Sequence, residues 1–271
     1  MEVILHCGAH RCASTSFQNY LSRNVQVLAD QGLAYWGPER TRSNGLNSLN
    51  KLTPEVCDGL RRELDVCQQD GATQLLVSQE NFVGSMKRNI AFASLYPGMQ
   101  ERGQLLARAF DGRVTKIALN IRALDMYWSS VAAYKFKRGS APIEPTKWTR
   151  IAQSKRSWRD VITDISHAFP GVPLLVLPFE EFAGHQQAQL QALTGRTAPE
   201  FSDGLALNAA PKPTPHGLTA EQAMQLWADY ADDLEWLASG ADGRAELICR
   251  TDSNARGVAP AETRIEQRKS T

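Results

Sequence analysis

The sequence has no long apolar run, no surplus of charge of either sign and no paired cysteine motif. Lysine and arginine together number 30 against 29 aspartate and glutamate residues, so the formal net charge is +1. This balance gives no electrostatic basis for nucleic acid or a membrane surface as a partner. No apolar helix precedes the first predicted strand, and no apolar run approaches the length of a membrane span. These absences predict a cytoplasmic protein without nucleic-acid or membrane partners.

The five cysteines are scattered along the chain and none has C-x-x-C spacing. In a chain of 271 residues without a signal segment, this pattern predicts reduced thiols and argues against both a disulfide framework and a structural zinc site. No metal site of another kind is evident. Cys12 lies in a predicted anion-binding loop, where a thiolate is favoured, but we interpret it as a small filler.

Continuous apolar runs alternate with helical patterns, which is typical of an α/β fold with a mostly parallel central sheet flanked by helices on both faces, a three-layer sandwich. One domain over 1–271 is expected, with a flexible polar tail from about 255. A polar loop is expected over 40–50. The predicted strands are 2–7, 34–36, 74–78, 114–121 and 173–179, and the predicted helices are 14–23, 52–69, 99–110, 126–134, 157–169, 187–193 and one beginning near Thr219.

The most informative stretch is 2–21, which we interpret as a strand, a tight loop and a helix. A helix leaves its first backbone N–H groups unpaired at the positive end of its dipole, so such a loop binds phosphate-like anions. Gly8 permits a tight turn, Ser14 is the expected N-cap, and Arg11 supplies a fixed positive charge. The loop is therefore predicted to bind an anion.

Two familiar phosphate loops do not match this stretch. In the pattern G-x-x-x-x-G-K-[ST] aligned on Gly8, Ala13 stands where the second glycine belongs and Ser14 where the lysine belongs. A tyrosine-phosphatase loop beginning at Cys7 needs an arginine six positions later, and that position is also Ala13. The second mismatch excludes the phosphatase interpretation.

Arg11 is followed by one spacer, a small residue and two hydroxyl residues, and this order resembles the loop of the sulfotransferases that use 3′-phosphoadenosine 5′-phosphosulfate (PAPS). Arg11 replaces the usual lysine of that family and Ala13 the usual glycine. The resemblance implies a P-loop-like fold and a loop that holds the phosphosulfate of PAPS. The implied cofactor-binding residues are Gly8, Ala9, His10, Arg11, Cys12, Ala13, Ser14, Thr15 and Ser16, with Arg11 also acting on the charge that develops during transfer.

A second motif follows the predicted strand 114–121. The sulfotransferase family places an arginine after its central strand and a serine eight residues later, and both hold the 3′-phosphate of PAPS; Arg122 and Ser130 have this spacing. Asp125 and Tyr134 also resemble the bacterial members. The family often uses a basic residue near its last helix on the same phosphate, and Lys212 is the candidate here. The planar guanidinium of an arginine suits a phosphate.

Glu80 is the predicted catalytic base. It follows the strand 74–78, and the carboxyl ends of parallel strands face one crevice, so Glu80 should lie near the Arg11 loop. Bacterial sulfotransferase-like sequences have a similar Ser-x-Glu after their second strand. A structural role for Glu80, as a helix cap or an ion-pair partner, stays open, and His10 is the alternative base.

These features predict transfer of a sulfuryl group from PAPS to the hydroxyl or amine of an unidentified acceptor, with release of adenosine 3′,5′-bisphosphate (PAP) and no metal. Two alternatives stay open: a nucleotide-dependent kinase with an altered phosphate loop, which would need Mg²⁺, and a protein that binds phosphonucleotides without turnover. The basic segment 135–159 is either a rim that attracts anions or a solvated surface. The segments 36–50, 84–98 and 137–156 are expected to shape the acceptor pocket.

Overall fold

The fold is taken from a computed structural model, which describes residues 1–46, 49, 52–200 and 217–250. Two predictions fall outside these residues, namely the role of Lys212 and the flexible tail from about 255. No helix in the described ranges has the length and apolar character needed to cross a membrane.

The described residues form one sheet of six strands, all of them parallel, in the spatial order β2-β3-β1-β4-β5-β6. Helices cover both faces, so the predicted α/β sandwich is confirmed. The strands are β1 (Glu2–His6), β2 (Leu33–Trp36), β3 (Gln74–Ser78), β4 (Val114–Ile121), β5 (Leu174–Pro178) and β6 (Glu246–Leu247).

The helices agree with most of the predicted helical segments. Thr53 caps α4 ahead of Pro54, and Thr219 with Gln222 forms a capping box at the start of α12, as their sequence patterns predict. The helices are α1 (Ser14–Arg23), α2 (Val25–Asp30), α3 (Pro38–Ser43), α4 (Pro54–Gln69), α5 (Met86–Phe92), α6 (Met99–Ala109), α7 (Leu124–Lys137), α8 (Pro145–Ala152), α9 (Trp158–Ala168), α10 (Phe179–Phe182), α11 (Gln186–Thr194) and α12 (Ala220–Ala238).

Alternate residues of each strand enter two separate apolar cores, because successive side chains of a strand point to opposite faces. Val3 and Leu5 belong to the larger core, which includes side chains of α4, α6, α7, α9 and α12. Ile4 belongs to the smaller core, which includes side chains of α1, α2 and α11. The central strands are buried on both faces, which explains their continuous apolar sequence.

The strand order places a topological switch at β1. The chain adds β2 and β3 on one side of β1 and then β4 and β5 on the other side. In open α/β sheets, the crevice beyond the carboxyl ends of the strands at such a point is where ligands bind. The loop after β1 therefore lies between the segments that follow β3 and β4.

Two sequence predictions of secondary structure were wrong. The segment 40–50 was expected to be a loop, but α3 extends through its first residues and buries Thr41. The helix begins after Gly37 with Pro38, a residue that suits the first helical turn. Because the helix is polar, it has no apolar periodicity from which it could be predicted. The strand β5 was expected to be the last, but the two-residue β6 pairs with it.

Candidate functional site

The loop between β1 and α1 comes unusually close to the side chain of His6. A β-carbon at Gly8 would lie 2.8 Å from Cε1 of His6 and 3.0 Å from Cβ of Ser14, so only glycine fits without displacing these groups. Gly8 is thus required for close approach of the backbone and not for a positive φ. Ala9, the next residue of the loop, is fully buried.

His6 lies at the centre of a buried polar network below the loop. Its Nδ1 lies 2.7 Å from Oγ of Ser78 at the end of β3, and its Nε2 lies 2.6 Å from Oδ1 of Asn120 near the end of β4. Gln189 of α11 is 3.1 Å from the same Nε2. Burial lowers the pKa of His6 to about 4, with partial opposition from its bond to Asn120, so the ring is neutral at physiological pH. The network fixes the three strand ends that support the loop.

The N-cap of α1 is Ala13, not Ser14 as the sequence predicted. Ala13 has φ 62° and ψ 13°, a left-handed conformation, and no side chain caps the helix. Ser14 is the first helical residue, and its hydroxyl donates to Oε2 of Glu80 at 3.2 Å instead of capping. A left-handed residue next to a right-handed one forms a concave nest of backbone N–H groups, which is a binding site for anions.

Arg11 joins the loop to α7. It also has a left-handed backbone, with φ 65°, and its Nε donates to Oγ of Ser130 at 2.9 Å. Its guanidinium carbon lies 5.1 Å from the ring centroid of Tyr134, one helical turn further on. Arg138 packs against the same ring at 5.1 Å. The cation of the loop is therefore positioned by residues that are more than 110 positions away in sequence.

Arg122, just before α7, makes a second connection to the loop between β1 and α1. Its Nη1 donates to the backbone oxygen of Arg11 at 2.8 Å, and its guanidinium stacks on the ring of Phe179 at 4.1 Å. The residue is only 3 % exposed, and its buried Nε has no hydrogen-bond partner within the described part of the chain. Burial lowers the pKa of Arg122. Its backbone oxygen accepts a bond from Nε1 of Trp158 at 2.7 Å, which fixes the start of α7.

Glu80 lies across the cleft from Arg11, on the short 3₁₀ turn Glu80–Phe82 that follows β3. The side chain of Gln79 caps this turn. Arg102 of α6 donates to the backbone oxygens of Asn81 and Phe82, at 2.7 and 3.3 Å. The Glu80 carboxylate is half-buried, and Ser14 is a hydrogen-bond donor to it. Glu80 therefore lies beside the loop, as its position after a parallel strand predicts.

His10 is held by the hydroxyl of Tyr96. The backbone N–H of His10 donates to this oxygen at 2.9 Å, and Nδ1 of the ring lies 3.1 Å from it. Nε2 lies 3.3 Å from Oδ1 of Asn81. Burial lowers the pKa of His10, against the opposing effect of the nearby Glu80 carboxylate. With both ring nitrogens engaged and the ring 4 % exposed, His10 is a poorer base than Glu80.

Cys12 is buried, and its Sγ donates to the backbone oxygen of His10 at 3.6 Å. Burial raises the pKa of this thiol, and it raises that of Cys7 to about 12. Neither group is therefore a thiolate at physiological pH, which agrees with Cys12 as a filler. Among the described residues, no group of three or more His, Cys, Asp or Glu side chains is arranged to hold a metal ion.

These elements enclose a cleft of about 270 Å³ at the switch point. Thr15 and Ser16 line it from the first turn of α1, where Thr15 is exposed. Asn19 and Met86 also line the cleft; Met86 belongs to the segment 84–98 that was expected to shape the acceptor pocket, whereas no motif or segment prediction pointed to Asn19. The lining residues are His10, Arg11, Ala13, Ser14, Thr15, Ser16, Asn19, Glu80, Met86 and Tyr134.

A larger cavity of about 470 Å³ lies between the α8–α9 connection and α12. Its buried carboxylate, Asp233, accepts bonds from Oγ of Ser157 and from the backbone N–H groups of Trp158 and Arg159. This carboxylate therefore holds the start of α9 in place. The smaller cleft, with its helix N-terminus, arginine and carboxylate, is the better candidate for a reaction.

Comparison of the chain with protein-family models, with curated proteins and with solved structures gave no match.

Proposed function

We propose that this chain is a PAPS-dependent sulfotransferase that acts on a hydroxyl or amine acceptor. The supporting observation is the direct contact between the phosphate loop and α7, through the bond from Arg11 to Ser130 and the bond from Arg122 to the backbone of Arg11. In the resembling family, these two segments hold opposite ends of one doubly phosphorylated nucleotide. Here they meet at the switch point of a parallel sheet, where such ligands bind.

The residues present fit this ligand. The nest at Ala13 and the first N–H groups of α1 suit the phosphosulfate end, and Arg11 adds a charge beside them. Ser130 and Arg122 would hold the 3′-phosphate; both are buried, and Nε of Arg122 has no hydrogen-bond partner among the described residues. Ser130 accepts the bond from Arg11 through a lone pair of its oxygen, so a phosphate could accept the Ser130 O–H while this bond stays in place.

PAPS supplies the sulfuryl group and leaves as PAP. Glu80 accepts the proton that the acceptor loses as its oxygen or nitrogen bonds to sulfur. A positioned base of this kind contributes about 10² to 10⁴ in rate. Arg11 and the N–H groups at the start of α1 stabilise the negative charge that develops on the departing phosphate. Ser14, which donates to Glu80, orients its carboxylate.

Ligand-induced stabilisation separates the sulfotransferase from the kinase. Specific binding raises the melting temperature, so thermal shifts are compared with PAP, with ATP and with ATP plus Mg²⁺. We expect the largest shift with PAP and no added effect of Mg²⁺. A preference for ATP plus Mg²⁺ would contradict the proposal and support the kinase.

Turnover separates the enzyme from a binding protein. PAPS is incubated with a panel of hydroxyl and amine acceptors, and release of PAP is measured for the wild type and Glu80→Gln. We expect the variant to lose at least about 10²-fold in turnover while it retains PAP binding. Glu235→Gln, at an exposed position on α12, is the matched control and should match the wild type. PAP binding without turnover of any acceptor would favour the non-catalytic alternative.

A further inference from the structure

Tyr96 is a tightly held residue near the cleft, although no motif includes it. It is fully buried in the segment between α5 and α6, and its backbone is left-handed with φ 43°. Its backbone N–H donates to Oδ1 of Asn89 at 3.1 Å, and its backbone oxygen accepts from Nη2 of Arg156 at 3.1 Å. A bulky residue persists in this conformation only where its surroundings impose it, and such positions concentrate at functional sites.

The bonds of the Tyr96 hydroxyl determine the protonation of His10. The oxygen accepts one bond from the backbone N–H of His10 and one from the hydroxyl of Tyr127 at 3.1 Å. Its two lone pairs are then used, so its proton can only be donated, and the remaining neighbour is Nδ1 of His10 at 3.1 Å.

The hydrogen-bond partner of Nε2, the other ring nitrogen of His10, leads to the same conclusion, namely that Nδ1 is an acceptor and Nε2 carries the proton. Asn81 donates its amide N–H to Oε1 of Gln79 at 3.1 Å, so its Oδ1, which faces Nε2 of His10, is an acceptor. His10 therefore carries its proton on Nε2 and accepts at Nδ1. The charged groups around the ring are Glu80, which favours protonation, and Arg102 and Arg11, which oppose it.

We propose that Tyr96 is a positioning residue of the phosphate loop: its hydroxyl binds the backbone N–H of His10 and holds the ring neutral, as the Nε2–H tautomer. The loop is thereby fixed before the ligand arrives, and its anion is bound by Arg11 and the N–H groups beyond Cys12. The connection to PAP rests on the proposed function, whereas the tautomer does not.

Two single-hydroxyl variants distinguish positioning from stability. Tyr96→Phe removes the hydroxyl that contacts the loop at His10. Tyr127→Phe removes the neighbouring hydroxyl, which bonds to Tyr96 but does not contact the loop. Both variants should lose stability. Only Tyr96→Phe should weaken PAP binding at pH 8, by about fivefold or more, and part of this loss should be recovered at pH 6, because the freed Nδ1 can take up a proton beside the anion.

The test combines calorimetric titration at both pH values with nitrogen NMR of the histidine rings, assigned with His10→Gln. We expect an Nε2–H ring in the wild type and protonation of Nδ1 near neutral pH in Tyr96→Phe. An Nδ1–H ring in the wild type, or equal ligand affinity for Tyr96→Phe and Tyr127→Phe, would overturn the inference. If the wild type binds inorganic pyrophosphate but not PAP, the proposed function fails and the same comparison is made with pyrophosphate. If it binds neither, both proposals fail.

Discussion

At Ala13, the loop between β1 and α1 holds an L-residue with φ 62°, a conformation that glycine adopts without steric cost. Ala13→Gly should therefore increase the free energy of unfolding, by about 1 kcal/mol. Ala9→Gly, in the same loop, removes a fully buried methyl group at a residue without positive φ, and should decrease it by about 1 to 2 kcal/mol. Chemical denaturation measures both changes, and shifts of the same sign would contradict this description of the loop.

His6 should make the protein sensitive to acid. Its pKa is lowered from 6.5 to about 4 in the folded state, so between these values the unfolded chain binds more protons than the folded one. Stability therefore rises with pH across this window and is lost as pH falls through it. The His6 contribution is about 3 kcal/mol at most, from the conversion of a pKa shift into free energy.

His6→Gln tests this contribution through the pH dependence of urea unfolding from pH 4 to 7. The variant should be less stable at pH 7, yet its stability should fall less steeply with acid than that of the wild type. Asp233 titrates in the same window with the opposite sign, because burial raises its pKa to about 6. Only the difference between the variant and the wild type isolates His6. Parallel pH profiles for the two proteins would show that His6 does not carry this effect.

At the scale of the element, α9 depends on a carboxylate from another helix. Asp233 of α12 is 3 % exposed and accepts from Oγ of Ser157 and from the N–H groups of Trp158 and Arg159. Asp233→Ala removes the acceptor of the buried Trp158 N–H and one acceptor of the other two donors, and should cost about 1 to 3 kcal/mol in unfolding free energy. The neighbouring Asp232 is exposed, so Asp232→Ala should change stability by less than about 0.5 kcal/mol. Equal costs would refute the role given to Asp233.

The elements that the sequence predicts are those with a strong local pattern. β4 and the helix α4 have buried apolar positions at the expected periods, and α4 also begins with a threonine cap and a proline. The helix α3 is polar and short, so it lacks this signal. The strand β6 is two residues long and exists through its pairing with β5, a contact that no local pattern encodes.

The residues of the candidate site also fall into a group that the sequence predicts and a group that it does not. Gly8, Arg11 and Glu80 follow strand ends, so the parallel sheet brings them to one edge and sequence analysis could group them. The N-cap at Ala13 could not be predicted, because Ser14 is the better capping residue by type and the backbone conformation decides against it. Tyr96 could not be predicted either, since its contact with His10 joins positions 86 residues apart.

At the scale of the whole molecule, two segments that are distant in sequence meet at the switch point of the sheet. The loop 8–16 follows β1 and the segment 122–134 follows β4, and these strands are neighbours. Arg11 and Arg122 bond the two segments directly. A ligand with phosphates at both ends would engage both segments, while a ligand with only one phosphate would engage the loop alone.

The measurement that tests this claim most directly compares the affinities of PAP and AMP by calorimetric titration of the wild-type protein. The two ligands differ only in the 3′-phosphate, which we assign to Arg122 and Ser130. We expect PAP to bind about tenfold more tightly or better, since a hydrogen bond to a charged group contributes about 1.5 to 3 kcal/mol. Equal affinities for PAP and AMP would contradict the claim that the two segments hold one doubly phosphorylated nucleotide.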